Sequence, residues 1–327
     1  MRLMMELQPL FYFRKYNCKM ALQIISPKYS FVQFNETIPE SDCADPAICL
    51  PVTTTKDLLF QFNVTAADET ELYGDAVAGE LFTYRIVVCT DCSDLSNVEL
   101  DEFGFPRESF YLISEELEPL TGVALLVGAY GSEESGALFD DMKIGDCFTL
   151  CLVRCVTQLT EGEPIKTFSC VASTNCFKKS NDLCFTSLLR YDCNEDAFGF
   201  NYTSGSVPPN RIRLPMYLKQ PDYKQSEKGY QFSDGTYKKQ YERIDKEYTL
   251  ETDYLTEVLH DRLNVALSSD NIRVTNGNVG VDYKGIYKSE AYKPKWNSSD
   301  SIYVRTAKAF TKVILNEPLS LLNSNCG

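Results

Sequence analysis

Cysteine is the residue type here with the widest chemical reach, and the chain of 327 residues holds thirteen. Cys89-Thr90-Asp91-Cys92 has the spacing of half a zinc site. A structural zinc takes four ligands, and no second C-x-x-C or H-x-H pair accompanies it, so the pair reads as two thiols at a strand end. Cys147, Cys151 and Cys155 recur every four residues, which aligns them on one face of either a helix or a strand. The Phe, Thr, Leu and Val between them favour a strand, with Phe148, Leu150, Leu152 and Arg154 on its other face. Neighbouring thiols would then stand about 13 Å apart and could not share an ion. Cys170, Cys176, Cys184 and Cys193 are irregularly spaced, and all these cysteines read as small core hydrophobes. With no secretory leader evident, reduced thiols are the expectation.

The one histidine, His260, is the only side chain that could serve a Ser-His or Cys-His relay. Helical spacing sets it beside Glu257 and Asn264, so a surface position is expected. Glu115-Glu116, Glu133-Glu134 and Asp140-Asp141 supply carboxylates, but nothing marks one pair out as an acid and base. Asp68 to Asp75 and Asp140 to Asp146 only loosely approach a calcium loop. There is no Gly-rich phosphate loop, G-x-S-x-G elbow or H-E-x-x-H. The sequence therefore assigns no catalytic, cofactor-binding or metal-ligating residue, and a non-enzymatic protein without a cofactor is expected.

Charge is unevenly divided. The formal net charge is −14. Residues 191–327 hold 18 basic and 18 acidic side chains, so the first 190 residues carry the whole excess. That sign repels phosphate backbones and anionic lipid, no basic stripe stands out further on, and neither nucleic acid nor membrane is an expected partner. No run of about 18 apolar residues would make a spanning helix. Residues 1–19 have a broken apolar run and read as an N-terminal arm or a start artefact. Four Asn-x-Ser/Thr sequons, at Asn35, Asn63, Asn201 and Asn297, read as chance matches.

The elements that would carry these residues are mostly strands. Leu58, Phe60, Phe62 and Val64 alternate with polar neighbours, as a half-buried strand requires. Further strands are expected at Leu81 to Cys89, Ser109 to Ser114, Gly122 to Tyr130, Asp146 to Val156, Ile165 to Ala172 and Leu183 to Tyr191. Short strands separated by turn residues, without an amphipathic helix, predict an antiparallel, jelly-roll-like β-sandwich over 20–192. Residues 193–209, rich in Asn, Gly, Ser and Pro, form the expected linker to a smaller α+β domain over 210–327. There Tyr230 to Phe232 meets Ser233-Asp234-Gly235-Thr236, whose Asp-Gly suits the positive φ angles of a tight hairpin, and Tyr237 to Leu250 returns. Asp253 is the expected cap of a helix with Leu255, Val258, Leu259, Leu263, Ala266 and Leu267 on one face. Ile272 to Val274 and part of Ser301 to Leu315 add strands. The class is mainly β with an α+β second domain.

Several local signatures occur in a fixed order. They are Asn175-Cys176-Phe177, Leu183-Cys184-Phe185 through Arg190-Tyr191, Ala197-Phe198-Gly199-Phe200-Asn201-Tyr202, Arg213-Leu214-Pro215, the Ser-Asp-Gly-Thr hairpin, Thr252-Asp253-Tyr254 and the closing Asn323-Ser324-Asn325-Cys326. Over roughly its second half the chain thereby resembles uncharacterised structural proteins of tailed bacteriophages and prophages of Bacteroidetes. The resemblance implies a virion subunit of tail or baseplate, assembled in the host cytoplasm as a homo-oligomer with other virion proteins. A glycan-binding adhesion module, using Trp296 with Tyr292 and Tyr303 against a host surface glycan, is the alternative, and a carboxylate-dependent hydrolase is a weaker one.

Overall fold

The computed structural model describes residues 22–34, 49–90, 95, 98–117, 122–131, 137–160, 164–181, 183–203, 209–277, 282–296, 306–315 and 320–323. Residues 1–19, Cys92, Glu133-Glu134, Tyr303 and the tail after Asn323 lie outside them. Among the described residues there are twenty-one strands and three short α-helices, so the mainly β expectation holds.

The first strands are β1 (Gln23–Ile25), β2 (Leu50–Val52), β3 (Leu59–Ala66), β4 (Glu80–Cys89), β5 (Phe110–Leu117) and β6 (Val123–Gly131). Next come β7 (Cys147–Gln158), β8 (Ile165–Ser173), β9 (Phe177–Lys179), β10 (Ser187–Asp192), β11 (Asn210–Leu214) and β12 (Met216–Leu218). Helices α1 (Glu69–Tyr73) and α2 (Ala137–Asp141) are single turns between strands. The chain continues through β13 (Asp222–Gln231), β14 (Tyr237–Thr252), β15 (Leu255–Thr256), α3 (Glu257–Ala266), β16 (Asn271–Asn276), β17 (Asp282–Lys284), β18 (Ile286–Lys288), β19 (Lys293–Trp296), β20 (Thr306–Leu315) and β21 (Ser320–Asn323).

Thirteen strands form one sheet in the order β17-β16-β10-β11-β3-β6-β5-β4-β7-β9-β2, with β1 also on β3 and β8 also on β7. Strands β4 and β5 meet only at Ile86 and Phe110, whereas β4 pairs with β7 along its whole length. Phe62, Val64 and Val127 from β3 and β6 share one core with Ile86, Val88, Leu150 and Leu152 from β4 and β7. Strands β4 and β7 are covered on their other face too, where Val87, Cys89, Cys151, Val153 and Cys155 cluster. That is why both read as almost unbroken apolar runs. The polar face of β3 is more enclosed than its alternation suggests: Gln61 is buried and accepts from the Asn201 amide at 3.0 Å.

The expected boundary at 193–209 falls between two paired strands. β10 precedes it, and β11 and β16, which follow it, flank β10 on either edge in continuous antiparallel register. The apolar pair Leu189 and Tyr191 of β10 recruits Ile212, Ile272 and Val274 from downstream, and all five are buried together.

An eight-stranded sheet is built on β14 and β20, in the order β12-β14-β20-β15, with β13 and β21 also on β14 and β18 and β19 also on β20. Asn276 stitches it to the larger sheet: its Oδ1 accepts from Ser187 Oγ at 2.8 Å and from the Leu218 amide at 3.2 Å, and its Nδ2 donates to the Leu218 carbonyl at 3.1 Å. Helix α3 packs Leu259, Leu263 and Ala266 into the common core. Its cap is Thr256, not Asp253, because Leu255 and Thr256 are first drawn into pairing with Ala307 and Thr306 of β20. Val258 points outward.

Candidate functional site

The most distinctive surface is the hairpin of β13 and β14. Its turn closes with the Phe232 amide donating to the Thr236 carbonyl at 2.8 Å and the Gly235 amide to the Phe232 carbonyl at 2.9 Å. The loop is therefore the three residues Ser233, Asp234 and Gly235. Only Gly235 has a positive φ, +88°, as a three-residue loop with one left-handed position requires; the expected pair of positive angles at Asp-Gly is not needed. The Asp234 carboxylate accepts from the Thr236 amide at 2.9 Å and fixes the turn.

Every residue of β13 is exposed, so the hairpin stands away from the core as an arm about 33 Å long at ordinary strand rise. Tyr223, Tyr230, Phe232 and Tyr237 are all exposed on it, and Tyr230 meets Phe232 edge-to-face at 4.8 Å between centroids. The Tyr237 ring lies over Gly229, where a bulge interrupts the register between Lys228 and Gly229. The bulge and the charges of Lys224, Glu227 and Lys228 blunt strand-to-strand pairing along the outer edge, leaving recognition to the side chains.

The root of the arm is clamped. Glu247 of β14 is buried, and its carboxylate accepts from Lys224 of β13 at 2.5 Å, Ser289 at 3.1 Å and Lys312 of β20 at 3.0 Å. Burial alone would raise its pKa, but these donors outweigh burial and hold the carboxyl below its ordinary value. β21 adds a further strand along Tyr241 to Ile244. The arm therefore has a fixed base and a free end.

The residues singled out for chemistry sit elsewhere. His260 is buried, contrary to the surface position expected, because β19 and β20 cover that side of α3. Its Nε2 donates to the Ala307 carbonyl at 2.9 Å, which leaves Nδ1 to accept from the Tyr292 hydroxyl at 2.6 Å. Burial lowers the imidazole pKa against the opposing pull of the Ala307 bond. Both ring nitrogens are occupied, and Trp296 covers the ring edge-on. Tyr292 is thus committed to an internal hydrogen bond, leaving Trp296 as the described, half-exposed member of the expected aromatic patch.

Cysteine pairing departs from the reduced state expected. Cys49 is bonded to Cys176 and Cys89 to Cys151, and Cys170 is also disulfide-bonded. Neither described pairing is legible from spacing, since 127 and 62 residues separate the partners. The Cys147 sulfur lies with those of Cys49 and Cys176 in a group spanning no more than 4.8 Å. Three sulfurs fall one short of a structural zinc set, and the disulfide occupies two of them, so this arrangement suits thiol–disulfide exchange better than metal binding. Cys151 and Cys155 are buried on one face of β7, as the spacing predicts, and burial pushes the Cys155 thiol up to about 11.

Among the described residues, the candidate carboxylates are not brought together as an acid–base pair. Glu115 and Glu116 are consecutive on β5 and so face opposite sides. Asp68 accepts from the Glu71 amide, Asp75 from Val77 and Ala78, and Asp146 from Lys143, so the calcium-like segments spend their oxygens on local turns. No known protein family, curated protein or solved structure matches the chain.

Proposed function

We propose that the chain is a non-enzymatic structural subunit that assembles with further copies of itself through the β13–β14 arm, as a tail or baseplate component of a phage or prophage particle would. The observation that carries the reading is the arm: a ribbon clamped at its root, whose β13 strand is exposed along its whole length and which bears four exposed aromatic side chains. Tyrosine and phenylalanine are enriched at the centres of protein interfaces, and a lone monomer gains nothing from displaying them at the end of a lever. A ribbon about 33 Å long, two strands wide at its tip and widened by β21 along Tyr241 to Ile244, offers on the order of 330 Å² per face, so a neighbour that grips both faces approaches the roughly 800 Å² per partner of a standard interface. The disulfides suit a particle that ends outside the cell, since virion surfaces are oxidising. The assembly would form with other virion proteins in the host cytoplasm.

The test is to remove Lys228 to Tyr241, rejoin Glu227 to Glu242 through Asn-Gly, and compare sedimentation velocity with the full chain. The full chain should sediment as an oligomer and the shortened one as a monomer with unchanged circular dichroism. A full chain that stays monomeric at its highest soluble concentration contradicts the proposal. Binding of a host surface glycan at Trp296 is the alternative reading, and quenching of Trp296 fluorescence by host polysaccharide would favour it.

A further inference from the structure

Far from the arm, the larger sheet brings together four cations that are scattered in the sequence. Arg211 of β11 lies opposite Arg190 of β10, Arg190 opposite Arg273 of β16, and Arg273 opposite Lys284 of β17. Residues directly opposite in an antiparallel sheet share a face, with Cβ atoms about 5 Å apart. The four therefore make one row across about 14 Å of sheet. Like charges so placed are unfavourable unless something neutralises them.

The carboxylates on that face are few and engaged. Asp57 is held by Arg213, two residues from Arg211, with Nε–Oδ2 at 2.8 Å. Asp282 accepts from Thr275 at 3.1 Å and lies 3.6 Å from Arg273 Nε. Asp192 accepts from Asn271 Nδ2 at 2.6 Å. Among the described residues, five cations thus face three anions. The Nε atoms of Arg190 and Arg211 are buried without a hydrogen-bond partner. Over three of these cations opens a cavity of about 320 Å³, lined by Arg190, Arg273 and Lys284 with Asp192 and Asn271, among others, a volume suited to a small-molecule ligand, while Arg211 lies outside that lining.

We propose that this row binds a small ligand carrying two or more tetrahedral oxyanion groups, phosphate or sulfate. A single oxyanion reaches two neighbouring cations, so the three that line the cavity call for at least two such groups. Guanidinium forks such as those of Arg190 and Arg273 match these oxyanions in bidentate fashion. The strong negative charge of the rest of the molecule disfavours a long polyanion, which restricts the ligand to one that fits the cavity.

The test titrates the full chain by calorimetry with inorganic pyrophosphate, with a disulfated disaccharide, and with orthophosphate as the single-group control. At least one two-group probe should bind tenfold or more tighter than orthophosphate, and which one does so identifies the source of the oxyanion. Arg273→Gln should weaken that binding about tenfold, as loss of a charge-assisted hydrogen bond implies. Arg190→Gln combined with Arg273→Gln should abolish it, and Lys238→Gln on the arm should leave it unchanged. Lys284→Gln, an exposed position at the sheet edge, reports on the row without endangering the fold and should also weaken binding. Equal affinity for all three probes, or unchanged affinity in the Arg273→Gln and Lys284→Gln variants, overturns the proposal.

Discussion

The ion pair of Asp57 and Arg213 lends itself to a sharp stability prediction. Asp57 closes a 3-10 turn at Thr55–Asp57 and Arg213 lies on β11, 156 residues away, and the two residues are 4% and 7% exposed. The guanidinium grips both carboxylate oxygens, at 2.8 and 3.0 Å, while Oδ2 also accepts from the Thr53 amide and hydroxyl at 2.7 Å each. Gly131 of β6 closes the site from the side, where a Cβ would fall 2.1 Å from the Thr55 carbonyl oxygen. Asp57→Ala removes every one of these acceptors and strands a buried guanidinium, a loss of about 3–5 kcal/mol. That is a large share of the roughly 5–15 kcal/mol that holds a typical fold. Asp57→Asn keeps the shape without the charge and should cost less. Urea unfolding followed by fluorescence and circular dichroism gives the number. The pH dependence has a definite sign. Burial raises the Asp57 pKa, but Arg213 and Thr53 overcome it and bring the carboxyl below its ordinary 3.8. The unfolded state therefore takes up the proton first. The contribution is full above about pH 4 and is lost as pH falls through the lower, folded value. A change of under about 1 kcal/mol for Asp57→Ala, against the 3–5 given above, refutes this account of how the turn is tied to β11.

His260, as the one histidine, gives a single imidazole resonance. Its folded pKa is lowered, so the unfolded state binds the proton first and stability falls as pH drops below 6.5. A nuclear magnetic resonance titration should show a midpoint below that value; a midpoint above it contradicts the buried, neutral ring. Reducing Cys49–Cys176 and Cys89–Cys151 should each cost about 2–5 kcal/mol, given the long loops they close. Alkylation of air-oxidised protein in denaturant without reductant, read by mass spectrometry, should spare those four cysteines, and labelling of all four opposes the assignment. Glu247→Gln should release Lys224 and Lys312 and speed amide exchange along Asp222–Gln231 severalfold while leaving β3 and β6 protected. Unchanged exchange on β13 argues against a clamped root.

Local patterns carried most of the strand assignments. Alternation in Leu59–Ala66 and the apolar runs of Glu80–Cys89 and Cys147–Gln158 settle those strands because burial there follows the pleat. The Ser-Asp-Gly-Thr turn and the apolar face of α3 were equally visible. What sequence reading missed depends on contacts between distant segments. The polar composition of Asp222–Gln231 does not announce a strand, because that strand is held by pairing with β14 and not by burying a face. His260 looked exposed because helical spacing takes no account of β20 arriving from 47 residues onward. The cationic row escaped notice because Arg190, Arg211, Arg273 and Lys284 are separated by many residues and meet only through strand register. Cysteine pairing was hidden for the same reason.

The sedimentation of the full chain beside the chain lacking Lys228 to Tyr241 tests the proposed assembly most directly. The full chain should sediment as an oligomer that collapses to a folded monomer when the arm is shortened. Identical sedimentation of the two proteins, at concentrations where both remain folded, contradicts it.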